Sequence, residues 1–383
     1  MRHFAHLAPA VRGRLFSREP VPFDRSSGTE VLALALGATL YMPGTRPRLA
    51  DDLRRAAARG AVSAVLCLED AVDDDEVAAA EENVVAHLRD LAADTAPLTF
   101  VRVRRPEQIT AIAARLAGRA PALTGFVLPK FTELTGAAYL EALTAAPAGH
   151  GPWYGMPVLE SADVIHRESR DAELLAVRRL VDKYPGTVLA VRVGATDLAA
   201  AYGLRRTRGL TVYDVRVVAE AITAIVNVFA RADGTGRIVT GPVWEHFGGT
   251  GRLFKPQLRQ SPFDVLNATG LRRELISADL DGLLREVLLD QANGLTGKTV
   301  IHPTHVPVVH ALMVVSAEEF ADARDVLATR AHGGVRASAY GNKMNESKPH
   351  RAWAERTLRR AEVFGVAAEG VGAVDLLIAG SAP

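Results

Sequence analysis

The fold is decided by residues 153–203, which read WYGMPVLESADVIHRESRDAELLAVRRLVDKYPGTVLAVRVGATDLAAAYG. Two apolar runs of strand length flank a segment with helical spacing at 170–183, and such a unit pairs its two strands in parallel. Glu160 closes the first strand and Asp197 comes just after the second. Because neighbouring parallel strands lie about 4.8 Å apart, we predict that these acids sit side by side and can share one cation.

The same alternation of strand and helix patterns runs along most of the chain. Eight strand-like runs are each followed by a segment with helical spacing. The predicted strands end near Pro43, Asp70, Val103, Lys130, Glu160, Thr196, Val243 and His302. Eight successive βα units predict an α/β fold, a closed (β/α)8 TIM barrel. No G-x-G-x-x-G motif follows the first strand, which argues against an open dinucleotide-binding sheet.

The barrel pattern divides the chain into three parts. Residues 1–37 show no clear period and are expected to form an N-terminal extension packed on the surface. Residues 38–315 form the predicted barrel. Residues 316–383 form a helical appendage, with helices predicted at 317–331 and 349–364, that is suited to cap a site or reach a neighbouring subunit.

Composition excludes several classes of protein. The chain has 48% hydrophobic and 23% charged residues, as an ordinary soluble domain does. Its 45 basic and 44 acidic side chains create no overall field for nucleic acid or an anionic membrane. The longest apolar stretch, 31–42, is far shorter than the ~20 residues that span a bilayer. With Cys67 alone and no secretory signal pattern, we expect a cytoplasmic protein without nucleic-acid or membrane partners.

In barrels of this kind the active site lies at the carboxyl ends of the strands. For Glu160 and Asp197 the functional interpretation is a Mg²⁺ site, because this hard cation takes one or two carboxylates from the protein and other oxygens from water or substrate. The alternative is that each acid pairs with a nearby arginine, such as Arg192.

Two arginines follow one strand pattern, V-R-V-R. Alternation sends Arg102 and Arg104 to the same face, where a guanidinium could clamp a substrate carboxylate. Arg102 could equally form a structural pair with Asp70 or Glu160. Glu69 and Asp70 are expected to support the site from behind, to hold a loop, or to start a helix.

Two further motifs near strand ends carry weaker signals. His302 and His305 are three residues apart, but no third metal ligand follows, so His302 is expected to be a strand-end hydrogen-bonding residue. The loop after the seventh strand contains glycines and bases that could hold a phosphate, although a lid or a plain turn explains it as well. Its candidate residues are Gly248, Gly249, Gly251, Arg252 and Lys255.

Taken in order, the strand ends resemble the citrate lyase β-subunit-like (HpcH/HpaI aldolase) family over residues 41–366. The motifs are P-G-T-R-P at 43–47, L-E-D-A-V at 68–72, V-R-V at 101–103, L-P-K at 128–130, L-E-S at 159–161, G-A-T-D-L at 194–198 and G-K-T-V-I-H-P at 297–303. The long segment 244–269 is closer to a longer branch of this family, the carbon-carbon bond lyases of the barrel fold.

The resemblance implies a Mg²⁺-dependent carbon-carbon lyase that acts on a small keto or hydroxy acid or an acyl-CoA thioester through a metal-stabilised enolate. Glu160 and Asp197 become the metal ligands and Arg102 binds the substrate carboxylate. The matched motifs also assign substrate contacts to Arg46, Arg104, Lys130, Gly194, Ala195 and Thr196. Members of the family are usually trimers or hexamers, so a homo-oligomer is expected.

This chain departs from the family pattern at three places. Arg104 stands where the family often has Asn, and Phe131 and Thr132 interrupt L-P-K-V-E. The C-terminal motif G-x-M-[IV]-D-x-P, whose Asp can reach a neighbouring site, reads G-N-K-M-N-E-S-K-P, so Glu346 is the candidate catalytic residue in its place. A second hypothesis is a non-catalytic or partner-dependent barrel that binds a phosphorylated metabolite through residues 248–255.

Overall fold

The computed structural model describes residues 1–89, 91–146, 152–247, 280–328 and 334–380. The strands in chain order are β1 (Phe16–Arg18), β2 (Ala38–Pro43), β3 (Ser63–Cys67), β4 (Leu98–Arg102), β5 (Leu123–Leu128), β6 (Tyr154–Leu159), β7 (Val191–Val193), β8 (Val239–Trp244), β9 (Lys298–Val300), β10 (Val335–Ala337), β11 (Met344–Glu346) and β12 (Val366–Ala367). Strands β2 to β9 pair in parallel in chain order, and β9 pairs with β2 to close the barrel. The predicted (β/α)8 barrel is therefore confirmed.

Helices cover the outside of the barrel. In chain order they are α1 (Pro9–Leu15), α2 (Thr29–Ala35), α3 (Leu49–Ala58), α4 (Val77–Arg89), α5 (Pro106–Leu116), α6 (Glu133–Ala145), α7 (Ala162–Ile165), α8 (Arg170–Asp182), α9 (Ala195–Ala200), α10 (Arg216–Phe229), α11 (Leu280–Ala292), α12 (His305–Met313), α13 (Ala317–Ala328), α14 (Arg351–Phe364) and α15 (Ala373–Gly380). Helix α8 matches the predicted 170–183, and α14 begins two residues later than predicted. No helix of the described ranges is long and apolar enough to cross a membrane.

Local sequence explains why these elements begin and end where they do. Helix α5 starts with Pro106, whose missing N–H costs nothing in the first turn, and is ended by Ala117 in the left-handed region at φ 45°. Helix α6 begins with a capping box between Thr132 and Thr135. Every residue of β5 and β6 is buried, since the barrel core covers one face and helices the other, which is why these strands read as continuous apolar runs.

The middle of the barrel interior is polar. Thr39 lies in register with Ser63 on β3 and Thr299 on β9, and the Ser63 hydroxyl donates to Thr39 Oγ1 at 3.0 Å. The guanidinium of Arg192, from β7, donates to Thr39 at 3.4 Å and to Thr299 at 2.5 Å. Arg192 contacts no carboxylate among the described residues, so the alternative that it pairs with Glu160 or Asp197 is wrong.

The N-terminal segment contributes to the core instead of lying only on the surface. Phe4, Phe16 and Phe23 are buried in the main hydrophobic cluster, and the rings of Phe4 and Phe16 lie 5.2 Å apart. Strand β1 pairs with β12, which ties the two ends of the chain together. Apolar side chains without a regular period can still be buried when they fill gaps between helices. The boundaries at residues 37 and 315 stay a prediction.

Candidate active site at the barrel mouth

Six charged side chains converge at the carboxyl ends of β3 to β7, and we call them the mouth cluster. They are Glu69, Asp70, Arg102, Lys130, Glu160 and Asp197. Strands β6 and β7 pair in parallel, with Leu159 opposite Val193. Glu160 follows β6 directly, and Asp197 lies in the first turn of α9, which follows β7. The βα unit thus brings the two predicted metal ligands to one rim.

Arg102 is the central cation of the mouth cluster. Its Nη2 lies 2.7 Å from Glu69 Oε2, 3.0 Å from Glu160 Oε1 and 3.3 Å from Asp70 Oδ2. The pairing with Asp70 and Glu160 that we considered as an alternative is therefore present. Its buried Nε nevertheless has no hydrogen-bond partner in the described part of the chain. All three of these contacts use Nη2, so the neighbouring acids do not use every donor of Arg102.

Lys130 links the remaining acids through both its backbone and its side chain. It has φ 46°, in the left-handed region, and its backbone N–H donates to Glu160 Oε1 at 2.9 Å. Its ammonium contacts Glu69, lies 3.4 Å from Asp70 Oδ1 and lies 3.7 Å from Asp197 Oδ1. About half of the side chain is exposed, at 52%, so this cation faces solvent as well as the acids.

Glu160 has one occupied and one open carboxylate oxygen. Its side chain is only 1% exposed, and both of its recorded hydrogen bonds, from Arg102 and Lys130, reach Oε1. Oε2 faces Gly194, where an added Cβ would lie 2.1 Å from that oxygen. Gly194 has φ −93°, so the glycine is required by close approach and not by backbone conformation. It leaves room at Oε2 beside the helix that carries Asp197.

Burial and charge shift the titration of this cluster in opposite directions. Burial, reinforced by the nearby charge of Asp197, raises the pKa of Glu160 to about 7 although Arg102 opposes the shift. Burial also raises the pKa of Glu69. For Arg102 and Lys130 burial works against the charged form, but the facing carboxylates outweigh it and raise both pKa values. Burial therefore disfavours the ionised form of Glu69 and Glu160, and a cation placed beside Glu160 would favour it.

The donor set fits Mg²⁺ better than a softer metal. The cluster holds four carboxylates and two cations, which leaves two negative charges when all are ionised. Within the described ranges, no group of three or more His, Cys, Asp or Glu side chains forms a closed metal cage. Mg²⁺ needs only one or two protein carboxylates and keeps several waters. Glu160 Oε2 and Asp197 are the oxygens that the chain itself leaves open.

The structure places Arg46 and Arg104 outside the mouth cluster. Arg46 donates to Asp52 Oδ2 at 2.6 Å, at the start of α3. Arg104 donates to the Leu68 carbonyl at 2.8 Å, to the Val72 carbonyl at 2.5 Å and to Asp74, so its guanidinium holds the loop after β3. Both side chains were predicted to bind substrate. The guanidinium of Arg104 is used by the chain's own loop, whereas Arg46 binds Asp52 through Nε alone and its side chain is half exposed.

The remaining predicted contacts divide between the rim and more distant positions. Ala195 is buried and Thr196 is exposed in the first turn of α9, next to Asp197. His302 accepts or donates a hydrogen bond at 2.7 Å with Thr304 and stacks on Phe247, with ring centroids 5.2 Å apart. This local role is the one expected for a strand-end histidine.

Two predicted elements do not join the mouth in this chain. Glu346 lies exposed in β11, where its N–H donates to His350 Nδ1 at 3.1 Å, and it contacts no member of the mouth cluster within the described ranges. The proposed phosphate loop, with Gly248, Gly249, Gly251, Arg252 and Lys255, lies outside the described residues.

Sequence reasoning overlooked Tyr41 in this region. It lies on β2, inside the barrel, with its ring 5.4 Å from the Arg192 guanidinium carbon. Tyr41 lies in the apolar run A-T-L-Y-M-P, and a tyrosine in such a run is expected to be a buried core residue. Only the alternation that sends Thr39 inward could have pointed to it.

Solved structures share the fold of this chain. Protein CitE from Mycobacterium tuberculosis, in complex with magnesium, acetoacetate and coenzyme A, has 25% sequence identity and a TM-score of 0.54, covering 88% of this chain and 99% of its own. A citrate lyase from Burkholderia xenovorans LB400 has 17% identity and a TM-score of 0.60, covering 89% and 96%. No functionally curated protein matches the chain significantly.

A family model adds the decisive comparison, and it agrees with the resemblance carried by the strand-end motifs. The model described as C-C bond lyase of the TIM-barrel fold matches residues 30–366, which include the whole barrel and every member of the mouth cluster. This chain therefore belongs to the C-C bond lyases of the TIM-barrel fold.

Proposed function

We propose that this chain is a Mg²⁺-dependent lyase that cleaves or forms a carbon-carbon bond in a small keto or hydroxy acid. The observation that carries the proposal is the position of Glu160 and Asp197 on adjacent βα units, beside a buried arginine, in a cluster of four carboxylates and two cations. The solved structure of CitE contains magnesium and acetoacetate, which supports this choice of metal and of substrate class.

The acidic and the basic side chains of the mouth would have different roles. Glu160 Oε2 and Asp197 would hold the metal ion, which when bound supplies a Lewis acid for a substrate oxygen. Arg102, whose side chain keeps 12% of its surface exposed, would orient the acid end of the substrate through charge-assisted hydrogen bonds. Lys130 would balance Glu69 and Asp70 and keep these acids from repelling the substrate. Fixed positive charge at this point favours the enolate that carbon-carbon cleavage produces.

The proposal also concerns whether the substrate is a free acid or an acyl-CoA thioester. The CitE structure also holds coenzyme A, which favours an acyl-CoA thioester as the alternative to a free acid. The departures from the family pattern at Arg104 and Glu346 weaken the case for an acyl-CoA substrate in this chain. A trimer or hexamer, with Glu346 serving a neighbouring site, remains part of this proposal.

Titration calorimetry with MgCl₂ tests the metal site directly. Glu160→Gln keeps the size of the side chain but removes the charge, so we expect Mg²⁺ affinity to fall at least a hundredfold and lyase turnover with oxaloacetate to be lost. Asp182→Asn is the matched control, because Asp182 ends α8 of the same βα unit and pairs with Arg178 and Arg237. Unchanged Mg²⁺ affinity in Glu160→Gln would refute the metal assignment.

A further inference from the structure

Arg192 is a buried cation without a carboxylate partner in the described part of the chain. It is 1% exposed, and its recorded partners are the hydroxyls of Thr39 and Thr299 and, at 3.8 Å, the Met156 sulfur. Buried charges are normally paired with an opposite charge, because neutral partners offset little of the lost hydration. This position needs a further explanation.

Tyr41 covers the side of Arg192 that is nearer the barrel mouth. Both Thr39 and Tyr41 point inward, since side chains alternate along β2, and Tyr41 is two residues closer to the carboxyl end of the strand. The guanidinium carbon of Arg192 lies 5.4 Å from the centroid of the Tyr41 ring, within the range of a cation–π contact. Tyr41 itself is only partly buried, so it forms part of the floor of the mouth.

The Tyr41 hydroxyl receives no hydrogen bond and donates none within the described ranges. Two phenols elsewhere in the chain are bonded by contrast: Tyr139 donates to the Arg104 carbonyl at 2.8 Å, and Tyr213 donates to Asp290 Oδ1 at 2.8 Å. Tyr41 lies in the electrostatic field of Arg102 and Glu160, and burial raises its pKa, so the hydroxyl keeps its proton at neutral pH. It is an unused donor beside the mouth cluster.

We propose that Tyr41 is a further substrate-contacting residue, whose hydroxyl donates a hydrogen bond to an oxygen of the acid held by Arg102, and that Arg192 positions its ring from below. This inference rests on the proposed function, because it takes the ligand of the mouth to be a small keto acid. A neutral donor under the substrate strengthens as negative charge develops on the bound oxygen. Arg192 adds a fixed positive charge behind that donor and holds the ring against the barrel wall.

The experiment measures the affinity of oxalate, an analogue of a keto-acid enolate, by calorimetry at saturating Mg²⁺. Tyr41→Phe removes only the hydroxyl, so we expect oxalate affinity to fall about tenfold or more, as for a lost hydrogen bond to a charged group. Mg²⁺ affinity and the melting temperature should not change. Tyr139→Phe is the matched control: it loses a hydrogen bond within the chain, so its melting temperature falls while oxalate affinity stays at the wild-type value.

Two arginine variants test the positioning role of Arg192. Arg192→Met should weaken oxalate binding severalfold, and the effect should nearly vanish when Tyr41→Phe is already present, whereas a purely structural role would give additive losses. Arg192→Lys keeps the charge and should recover part of the affinity, which keeps the test decisive if the methionine variant does not fold.

The outcomes separate this inference from the function on which it rests. If the wild-type chain binds Mg²⁺ and oxalate but Tyr41→Phe binds oxalate equally well, the role of Tyr41 is refuted and the proposed lyase site stands. If the wild-type chain binds neither Mg²⁺ nor oxalate, the proposed function fails and this inference fails with it.

Discussion

The barrel contains two clusters of charged side chains that include buried acids. They differ in whether the chain supplies a hydrogen-bond donor to every carboxylate oxygen. One is the mouth cluster. The other, which we call the flank cluster, lies where β9, α11 and the segment after α9 meet. It consists of Arg206, Tyr213, Glu286, Asp290 and Lys298.

In the flank cluster, the chain itself supplies a hydrogen-bond donor to each oxygen of the two carboxylates. Lys298 Nζ lies 2.7 Å from Glu286 Oε1 and 2.7 Å from Asp290 Oδ2, and all three side chains are fully buried. The second oxygen of Glu286 accepts from Arg206 and from the Val212 N–H, and the second oxygen of Asp290 accepts from Tyr213. Every carboxylate oxygen has a donor, so the cluster can only hold the fold together.

In the mouth cluster, the described residues do not supply a hydrogen-bond donor to each carboxylate oxygen. Glu160 Oε2 accepts no hydrogen bond from the described residues, and the single recorded contact of Asp197 with a cation, Lys130, is 3.7 Å long. Lys130 and Asp70 are about half exposed. Buried acids therefore do not identify a site by themselves; the oxygens that the chain leaves without a donor do.

The largest expected effect belongs to the flank cluster. Lys298→Met should lower the free energy of unfolding by about 3–5 kcal/mol, because it removes the buried cation shared by Glu286 and Asp290 and leaves Asp290 without any cation, while Arg206 still pairs only with the other oxygen of Glu286. Denaturant unfolding measures the loss. Arg351→Met, at a pair with Glu355 in which both side chains are about half exposed, is the control and should lose about 1 kcal/mol or less. Equal losses would contradict the distinction between the two environments.

The corresponding change in the mouth should be smaller and partly reversible. Arg102→Met removes the cation between Glu69 and Glu160, so we expect unfolding stability to fall by about 2 kcal/mol. Added MgCl₂ should restore part of that loss, because a ligand that binds only the folded state stabilises it. Melting curves with and without Mg²⁺ measure this. If Mg²⁺ restored the stability of Lys298→Met to the same extent, the prediction that only the mouth cluster binds the metal would be contradicted.

The open oxygen of Glu160 predicts an effect that stays local to the mouth. Gly194→Ala places a Cβ 2.1 Å from Oε2, so the carboxylate must move and Mg²⁺ affinity should fall about tenfold or more. Gly209→Ala, in the loop that follows, meets nothing within 4 Å and serves as the control. Calorimetry measures both variants. Wild-type Mg²⁺ affinity in Gly194→Ala would show that Oε2 is not a ligand.

The smallest expected effect concerns two neutral buried histidines beneath the barrel, which differ from both charged clusters. His3 and His310 pack with ring centroids 4.5 Å apart, and His310 Nε2 accepts from the Ala38 N–H at 3.1 Å. Burial lowers the pKa of His3 to about 3 and that of His310 well below its ordinary value of 6.5. The folded chain keeps both rings neutral, whereas the unfolded chain protonates them below about pH 6.5.

The stability from these rings is therefore complete above about pH 6.5 and is lost as the pH falls toward their folded pKa values. His310→Gln keeps an acceptor near Ala38 but cannot titrate, so it should reduce the stability lost between pH 7 and pH 5.5 by about 1 kcal/mol. Urea unfolding at the two pH values measures the difference. His87→Gln, at a partly exposed ring, is the control. The same pH slope in His310→Gln and wild type would contradict the assignment.

The strand order and the position of the acids could be predicted from local sequence patterns. The contacts of Arg104 and Arg192 could not. The spacing of Glu160 and Asp197 around one helix placed them at the same rim, because strand length and parallel pairing follow from short-range sequence. Arg104 could not be placed in this way, since its donors go to the Leu68 and Val72 carbonyls in a loop whose path depends on the packed barrel. Arg192 likewise appeared as a possible acid partner, and only the interior register with Thr39 and Thr299 assigns it elsewhere.

The sequence alone determined the order of eight βα units, the closed barrel and the acids that stand at its rim, because hydrophobic periodicity and chain connectivity are local properties. Only the tertiary structure decided which charged side chains complete one another: Lys298 satisfies Glu286 and Asp290, while Glu160 keeps an oxygen open beside Gly194. Hydrogen bonding and burial depend on residues far apart in the chain. Their outcome is therefore settled only when the barrel has closed.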